Sequence, residues 1–384
     1  GSFGLAPFAV PALALPIGIS FFTFHAISYV VDVARGHAVA QKGPVAAALY
    51  LLLFPQLIAG PIIRYRDIAA QLTARTVALA DLAIGSRRFV LGLAKKMLVA
   101  NIVAGPADRI FALPMAELTA GLAWLGVLCY TLQIYFDFSG YSDMAIGLGR
   151  MLGFRFPENF RHPYIATSVQ DFWRRWHISL STWFRDYLYV PLGGSRRTPA
   201  RTYLNLVVVF ALCGLWHGAS WTFLVWGLFH GAFLVGERVV GTPSRSRPSS
   251  PARRALGRVY TLAVVMVAWV FFRADSVPAA LGMLGAMAGD GAGAPTTWTI
   301  GGYLTPEVWL ALGAGIIGSV PLGPAVIARL SRRPAGGVSA TGGVAVRLGP
   351  IASAGAVAAL VLLLSASLLL SAAGTYNPFI YFRF

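Results

Sequence analysis

The residues best suited to chemistry are histidines that lie close to glycines and arginines. His217 occurs in the polar stretch 212–222, between two apolar segments and near Gly214 and Gly218. Imidazole transfers protons near neutral pH, and glycine lets a backbone or a substrate approach closely. This pattern predicts acid–base chemistry at His217. A histidine that donates one hydrogen bond to a neighbouring helix explains the stretch alone equally well.

Residues 171–190 contain His177 and are predicted to form one amphipathic helix that is rich in Trp, Tyr, Phe and Arg. At about 100° per residue, one stripe of this helix carries Arg174, His177, Ser181 and Arg185. The helix fits two interpretations equally well. It either lies at the membrane interface with its arginines toward anionic lipid, or it forms a cavity wall that binds a phosphate-bearing ligand. In the second case Arg174, Arg175 and Arg185 contact the phosphates.

A third polar region covers residues 133–143 and continues through 156–164. Its carboxylates Asp137 and Asp143 adjoin apolar sequence, so they must be paired or hydrated. We predict that arginines of the 171–190 helix pair with them. The remaining histidines lack a comparable context and are predicted to be packing or loop residues: His25, His37, His162 and His230.

The composition requires a membrane environment. Of 384 residues, 57% are hydrophobic and only 12% are charged, whereas soluble domains carry roughly 25% charged residues. Membrane-spanning segments need about 20 apolar residues. The predicted apolar segments are 7–31, 44–63, 82–104, 118–138, 202–217, 219–237, 257–273, 305–328 and 349–373.

The chain has 31 Lys and Arg residues but only 14 Asp and Glu residues. This excess of basic residues follows the positive-inside rule and does not indicate nucleic-acid binding. Basic stretches at 196–201, 238–258 and 329–333 are predicted cytoplasmic loops, and the loop itself is assigned to residues 241–256. Membrane lipid is therefore a partner. Cys129 and Cys213 have no metal-ligand spacing, so we predict small core residues and no metal site.

The two apolar segments between the first two basic stretches are predicted to form a hairpin with His217 at its apex. The first limb, residues 202–216, has fifteen residues. Such a helix is about 22 Å long, which is shorter than the roughly 30 Å hydrocarbon layer. We therefore expect His217 to lie within the membrane thickness.

Several long motifs together resemble one protein family. They are residues 171–181, 189–194 and 214–218, supported by 60–65, 135–145 and 377–384. In this order they resemble the membrane-bound O-acyltransferase (MBOAT) family, and most closely its bacterial alginate O-acetyltransferase branch. The resemblance runs from about residue 16 to the end. It implies an all-α, polytopic domain over residues 1–384, with transmembrane and re-entrant helices around a central funnel and tunnel.

The resemblance also implies roles for individual residues. The family's catalytic histidine corresponds to His217, and its second characteristic polar position corresponds to His177. We expect the following residues to line the substrate tunnel: Trp216, Ser181, Tyr141, Asp143 and Asn159. The chain departs from the family pattern at His25, where a glutamine is usual, and the resemblance implies that some of the family's N-terminal helices are missing from this sequence.

The function implied is transfer of an acetyl group from acetyl-CoA to hydroxyls of an extracytoplasmic polysaccharide, in the bacterial inner membrane. The resemblance also implies a periplasmic partner acetyltransferase of the SGNH hydrolase-like class. One alternative keeps the fold but transfers D-alanine to teichoic acid, or an acyl group to peptidoglycan, a small molecule or a lipid. A transporter or channel is the non-enzymatic alternative, because buried His, Asp and Arg can also line a permeation path.

Overall fold

The computed structural model describes residues 18–58, 60–241, 250–290, 298–322 and 350–374. Within these ranges the regular structure is helical and contains no strand, so the predicted all-α class is confirmed. The helices are α1 (Ile19–Ala34), α2 (Pro44–Leu52), α3 (Phe54–Leu57), α4 (Tyr65–Thr73), α5 (Leu79–Ala94), α6 (Asn101–Phe111), α7 (Ala120–Met151), α8 (Val169–Trp173), α9 (Ile178–Phe184), α10 (Pro199–His217), α11 (Trp221–Val240), α12 (Pro251–Arg273), α13 (Val277–Ala288), α14 (Ile300–Tyr303), α15 (Pro306–Gly318) and α16 (Pro350–Ala372).

Six helices in the described ranges are long and apolar enough to cross a membrane. A π-helical turn, Lys95–Ala100, joins α5 to α6 in one continuous span. The six are Leu79–Phe111, Ala120–Met151, Pro199–His217, Trp221–Val240, Pro251–Arg273 and Ser353–Ala372. The prediction of a polytopic membrane protein is therefore confirmed.

The predicted apolar segment 44–63 does not form one continuous membrane-length helix, because the chain breaks into α2 and α3. Leu53 is extended, with ψ 106°, and Phe54 begins the next short helix, with Pro55 in its first turn. Proline has no N–H to continue the hydrogen bonding of α2. The predicted segments 7–31 and 305–328 fall partly outside the described residues. Their described parts contain α1 and α15, respectively.

The first part of the third polar region, residues 133–143, lies inside a membrane-length helix instead of following one. Helix α7 continues to Met151 and packs closely on α5. A Cβ added at Gly92 would lie 2.5 Å from the carbonyl oxygen of Gly140, and one at Gly147 would lie 2.6 Å from that of Gly85. Small residues therefore allow the two backbones to touch.

Both carboxylates of this region are paired, but the predicted partners are wrong. Asp137 forms an ion pair with Lys96. Asp143 lies 2.6 Å from Lys95 Nζ and 2.8 Å from Arg88 Nη2. These bases all come from the α5 span, because the close α5–α7 contact places them opposite the carboxylates.

The predicted continuous helix over residues 171–190 is also wrong. Helix α8 ends at Trp173, and His177 adopts a left-handed backbone with φ 43°. Helix α9 follows, and Arg185–Tyr189 form a π-helical turn. A left-handed residue cannot continue a right-handed helix, so Arg174, His177, Ser181 and Arg185 do not share one stripe.

The predicted loop 241–256 is shorter than expected, because α12 already begins at Pro251. Ser250 caps this helix by accepting a hydrogen bond from the backbone of Arg253. Residues 242–249 and the basic stretch 329–333 lie outside the described residues.

Candidate active site

His217 is the last residue of α10 and is 7% exposed. Its Nδ1 lies 2.7 Å from the carbonyl oxygen of Cys213, one turn earlier. A carbonyl can only accept, so Nδ1 carries the proton and Nε2 is the acceptor nitrogen of the neutral ring. The residue is thereby prepared to take a proton through Nε2.

The helix that carries His217 is longer than predicted. Pro199 begins it, and it has 19 residues, about 28 Å, which nearly equals the hydrocarbon thickness. The prediction that this limb is too short to cross the membrane is therefore wrong. The predicted hairpin itself is present. Its apex is formed by residues 217–220, as predicted.

A close contact between α10 and α11 holds the hairpin together. A Cβ at Gly214 or at Gly227 would overlap a carbonyl oxygen of the opposite helix, that of Phe223 or Phe210 respectively. Glycine at both positions lets the helices meet backbone to backbone. This contact fixes the end of α10, where His217 lies.

His177 is 1% exposed and is held by a polar residue and by aromatic rings. Its Nδ1 lies 3.2 Å from Asn159 Oδ1, and its ring meets that of Phe138 edge to face at 4.6 Å. Trp216 contacts both histidines, with ring centroids 6.5 Å from His177 and 4.7 Å from His217. The structure therefore brings the two predicted histidines to one indole ring.

A cavity of about 510 Å³ lies between α8, α9, α10 and α11; neither histidine lines it, but Ile178 follows His177 and Cys213 precedes His217 by one turn. Its walls include three arginines, Arg174, Arg185 and Arg238, together with Ser181 and Cys213. Arg175 is turned away, since it pairs with Asp171 at 3.0 Å and donates to the carbonyl of Arg161. Of the three predicted phosphate ligands, two therefore face the cavity.

The cavity follows α10 toward His217. Leu206, Val209, Phe210 and Cys213 line it. From Leu206 to Cys213 the helix rises about 10 Å. Cys213 contributes its side chain to the wall, while its carbonyl holds His217. The arginines therefore line the cavity, whereas His217 lies one helical turn beyond its Cys213 wall and is not itself in the lining.

Arg185 is held in place at the cavity by an ion-pair cluster. Its Nε donates to Asp186 Oδ1 at 2.7 Å, and Arg64 and Arg66 both contact the other carboxylate oxygen. Burial opposes ionisation of Asp186, but the hydrogen bond and charge of Arg185, with the other two guanidinium groups, lower the pKa of this carboxyl group. The cluster leaves both Nη groups of Arg185 able to bind a phosphate.

The remaining predicted tunnel residues are more scattered. Trp216 and Asn159 lie at the histidines. Tyr141 is half-buried on α7 against the central core, and Asp143 is engaged with Arg88 and Lys95. Neither Tyr141 nor Asp143 belongs to the lining of the cavity described above.

Two other buried histidines are packing residues, as predicted. His25 Nε2 accepts from the backbone N–H of Ile63, and His230 Nδ1 accepts from the indole N–H of Trp173. Cys129 and Cys213 are buried and unbonded to each other, also as predicted.

Sequence reasoning missed Arg238, because it was assigned to a basic loop. It belongs to the last turn of α11, where its Nη1 lies 3.4 Å from Ser195 Oγ. The signal was available, since Arg238 follows Leu234 by four residues and both line the cavity. This is the spacing of one helical face.

A model of the MBOAT, membrane-bound O-acyltransferase family, matches residues 19–274. The chain belongs to this family. The match covers α1 to α12, and hence both histidines and every wall of the cavity. Together with six membrane-length helices and bacterial relatives, membership makes the chain a multi-pass protein of the bacterial inner membrane.

This MBOAT chain is similar to curated proteins whose names refer to three different polymers: alginate, peptidoglycan and teichoic acid. A probable alginate O-acetylase of Azotobacter vinelandii is 51% identical over 74% of this chain and 56% of its own length. A peptidoglycan O-acetyltransferase of Helicobacter pylori is 38% identical over 72% of this chain and 57% of its own. A teichoic acid D-alanyltransferase of Bacillus subtilis is 30% identical over 57% of this chain and 58% of its own. The chain thus spans little more than half the length of these relatives.

Proposed function

We propose that this protein transfers an acetyl group from acetyl-CoA to a hydroxyl on the pathway to an extracytoplasmic polysaccharide. The observation that carries the proposal is the cavity lined by Arg174, Arg185 and Arg238, which extends along α10 toward His217. Guanidinium groups suit the phosphates of coenzyme A. The apolar side chains of α10 that line the cavity suit the pantetheine arm, and the last of the lining residues on α10, Cys213, is one turn from the histidine.

The chemistry follows from the hydrogen bond of His217. With Nδ1–H bound to the Cys213 carbonyl, Nε2 takes the proton of the attacking hydroxyl while its oxygen bonds to the thioester carbon. The tetrahedral intermediate then collapses and breaks the carbon–sulfur bond. The coenzyme A thiolate leaves and receives the proton from His217. The products are an ester and free coenzyme A, so atoms and charge balance.

The bases that line the cavity lie at the end of the hairpin expected to face the cytoplasm. Arg238 reaches Ser195, which adjoins the basic residues 196–201. Lys and Arg collect on the cytoplasmic side of membrane proteins. This charge distribution supports entry of the acyl donor from the cytoplasm and an acceptor that approaches from the other side.

The name of the alginate O-acetylase relative supports a polysaccharide as final acceptor, and its 51% identity exceeds that of the peptidoglycan and teichoic acid relatives given above. We propose that the acetyl group reaches the polymer through a periplasmic acetyltransferase of the SGNH hydrolase-like class. D-alanyl transfer and peptidoglycan acetylation are the alternatives that these other relatives favour.

The direct experiment measures acyl turnover by the purified protein in lipid nanodiscs. Acetyl-CoA labelled in the acetyl group is supplied with oligosaccharides from alginate, with peptidoglycan fragments or with lipoteichoic acid. Labelled ester together with stoichiometric free coenzyme A supports the proposal. Solute flux in proteoliposomes without acyl turnover contradicts it and favours the transporter.

Substitution of the cavity arginines tests donor binding. Arg174→Gln and Arg185→Gln each remove one charge-assisted contact to phosphate, worth about 1.5–3 kcal/mol. We expect KM for acetyl-CoA to rise by about tenfold or more in each variant, with kcat changed little. Arg201→Gln is the matched control, because Arg201 is exposed at the start of α10. An unchanged KM in both cavity variants would contradict the assignment.

A further inference from the structure

The backbone next to His177 determines the orientation of the Asn159 side chain. The N–H of Ser179 donates to Asn159 Oδ1 at 3.2 Å, and the N–H of Ile62 donates to Ser179 Oγ at 2.9 Å. Backbone N–H groups can only donate. With the acceptor Oδ1 placed by the Ser179 N–H, the Ser179 hydroxyl donates to the same oxygen at 2.8 Å.

These contacts allow only one orientation of the Asn159 side-chain amide. Oδ1 must face Ser179, because a flipped amide would direct its NH₂ at the backbone N–H of Ser179, which can only donate. The same oxygen lies 3.2 Å from His177 Nδ1. An amide oxygen only accepts, so His177 Nδ1 carries the proton and Nε2 carries the lone pair.

The remaining atoms of this unit have unused hydrogen-bonding capacity. Within the described residues, His177 Nε2 and Asn159 Nδ2 are buried without a hydrogen-bond partner. Buried polar atoms are normally paired, and an unpaired one requires a reason. A substrate that supplies an O–H or N–H to Nε2 gives such a reason.

We propose that Asn159 and Ser179 are positioning residues that hold His177 in its Nδ1–H tautomer, so that Nε2 accepts a hydrogen bond from an O–H or N–H of the bound substrate. The inference rests on the proposed function and adds to it the direction of the hydrogen bond between His177 and the substrate. His177 is an acceptor in the resting protein, and the group that stabilises the oxyanion must be a different donor.

The role in catalysis is tested with isosteric variants of Asn159. Asn159→Asp keeps an oxygen acceptor in place, whereas Asn159→Leu removes it. We expect Asn159→Leu to lower kcat by about 10–100-fold with KM for acetyl-CoA within twofold of wild type, and Asn159→Asp to restore most of the rate. Equal defects in both variants, or a fully active Asn159→Leu, would overturn the inference.

A double-mutant cycle separates positioning from general stability. If Asn159 acts through His177, then adding Asn159→Leu to a His177→Ala variant lowers kcat no further. Defects that multiply in the double variant contradict the inference. Ser179→Ala gives a second route, because it removes one of the donors that orient the amide and should produce a smaller loss of the same kind.

A measurement independent of catalysis distinguishes failure of this inference from failure of the proposed function. In protein labelled with ¹⁵N-histidine, solid-state NMR assigns the protonated ring nitrogen of His177, with His177→Ala to identify its signal. Wild type should show protonated Nδ1, and Asn159→Leu should lose this preference. Asn205→Leu is the control, since Asn205 is also buried but bonds to the carbonyls of Leu192 and Gly194. A protonated Nε2 in wild type would overturn the inference even if acyl transfer is observed.

Discussion

Alanine at position 217 should lower kcat for acetyl transfer by about 10²–10⁴-fold, the usual contribution of a general base. The side chain is buried at the end of α10, and no phosphate ligand is removed with it, so KM for acetyl-CoA should change little. The assay follows labelled acetyl-CoA consumption in nanodiscs.

The matched control for this variant is His37→Ala, because the His37 side chain is 45% exposed in the loop after α1. It should retain wild-type activity. His217→Ala should still fold, although its melting temperature should fall somewhat, because the buried ring packs against Trp226 and Phe272. Wild-type amounts of acetylated product from a folded His217→Ala protein would end the proposed mechanism.

Alanine at Gly227 should cause the largest loss of stability by a small substitution. Its Cβ would overlap the carbonyl oxygen of Phe210 and lie 3.2 Å from the Cα of Gly214. These are backbone atoms, so only separation of α10 and α11 relieves the overlap. Overpacking of this kind costs about 1–3 kcal/mol or more. We expect a clearly lower melting temperature and reduced activity, because α10 carries His217.

Gly236→Ala provides the control within the same helix. No atom lies within 4 Å of a Cβ built at Gly236 in the described residues, so alanine adds no contact there. It should leave the melting temperature unchanged or raise it slightly through better helix propensity. The prediction fails if the two alanine variants, compared by thermal unfolding in the same detergent, have equal melting temperatures.

Local composition was sufficient to predict the spans that are apolar along their whole length. The segment predicted at 349–373 corresponds to α16, and the hairpin around His217 corresponds to α10 and α11. A helix in lipid satisfies its own backbone hydrogen bonds, so length and the absence of charge largely decide where it forms. The resemblance to a family added catalytic roles for His217 and His177, which their polar surroundings had already singled out, and these roles stay predictions.

Features that depend on a single backbone angle or on a distant partner could not be predicted in this way. The periodicity of residues 171–190 favoured one helix, but the left-handed backbone of His177 ends it. Asp137 and Asp143 were known to need partners, yet the bases came from the α5 span. Their identity depends on which helices pack together, and a sequence pattern within one segment contains no information on that.

Residue types and hydropathy along the chain were enough to predict an all-α membrane protein with His217 at the apex of a helical hairpin and His177 in an arginine-rich segment. Three-dimensional packing was needed to show that Trp216 contacts both histidines, that Arg238 joins Arg174 and Arg185 at one cavity, and that Asn159 sets the proton position on His177. Residue type limits the chemistry that a side chain can perform. Packing sets the distances and the direction of each hydrogen bond, and these decide which chemistry is available.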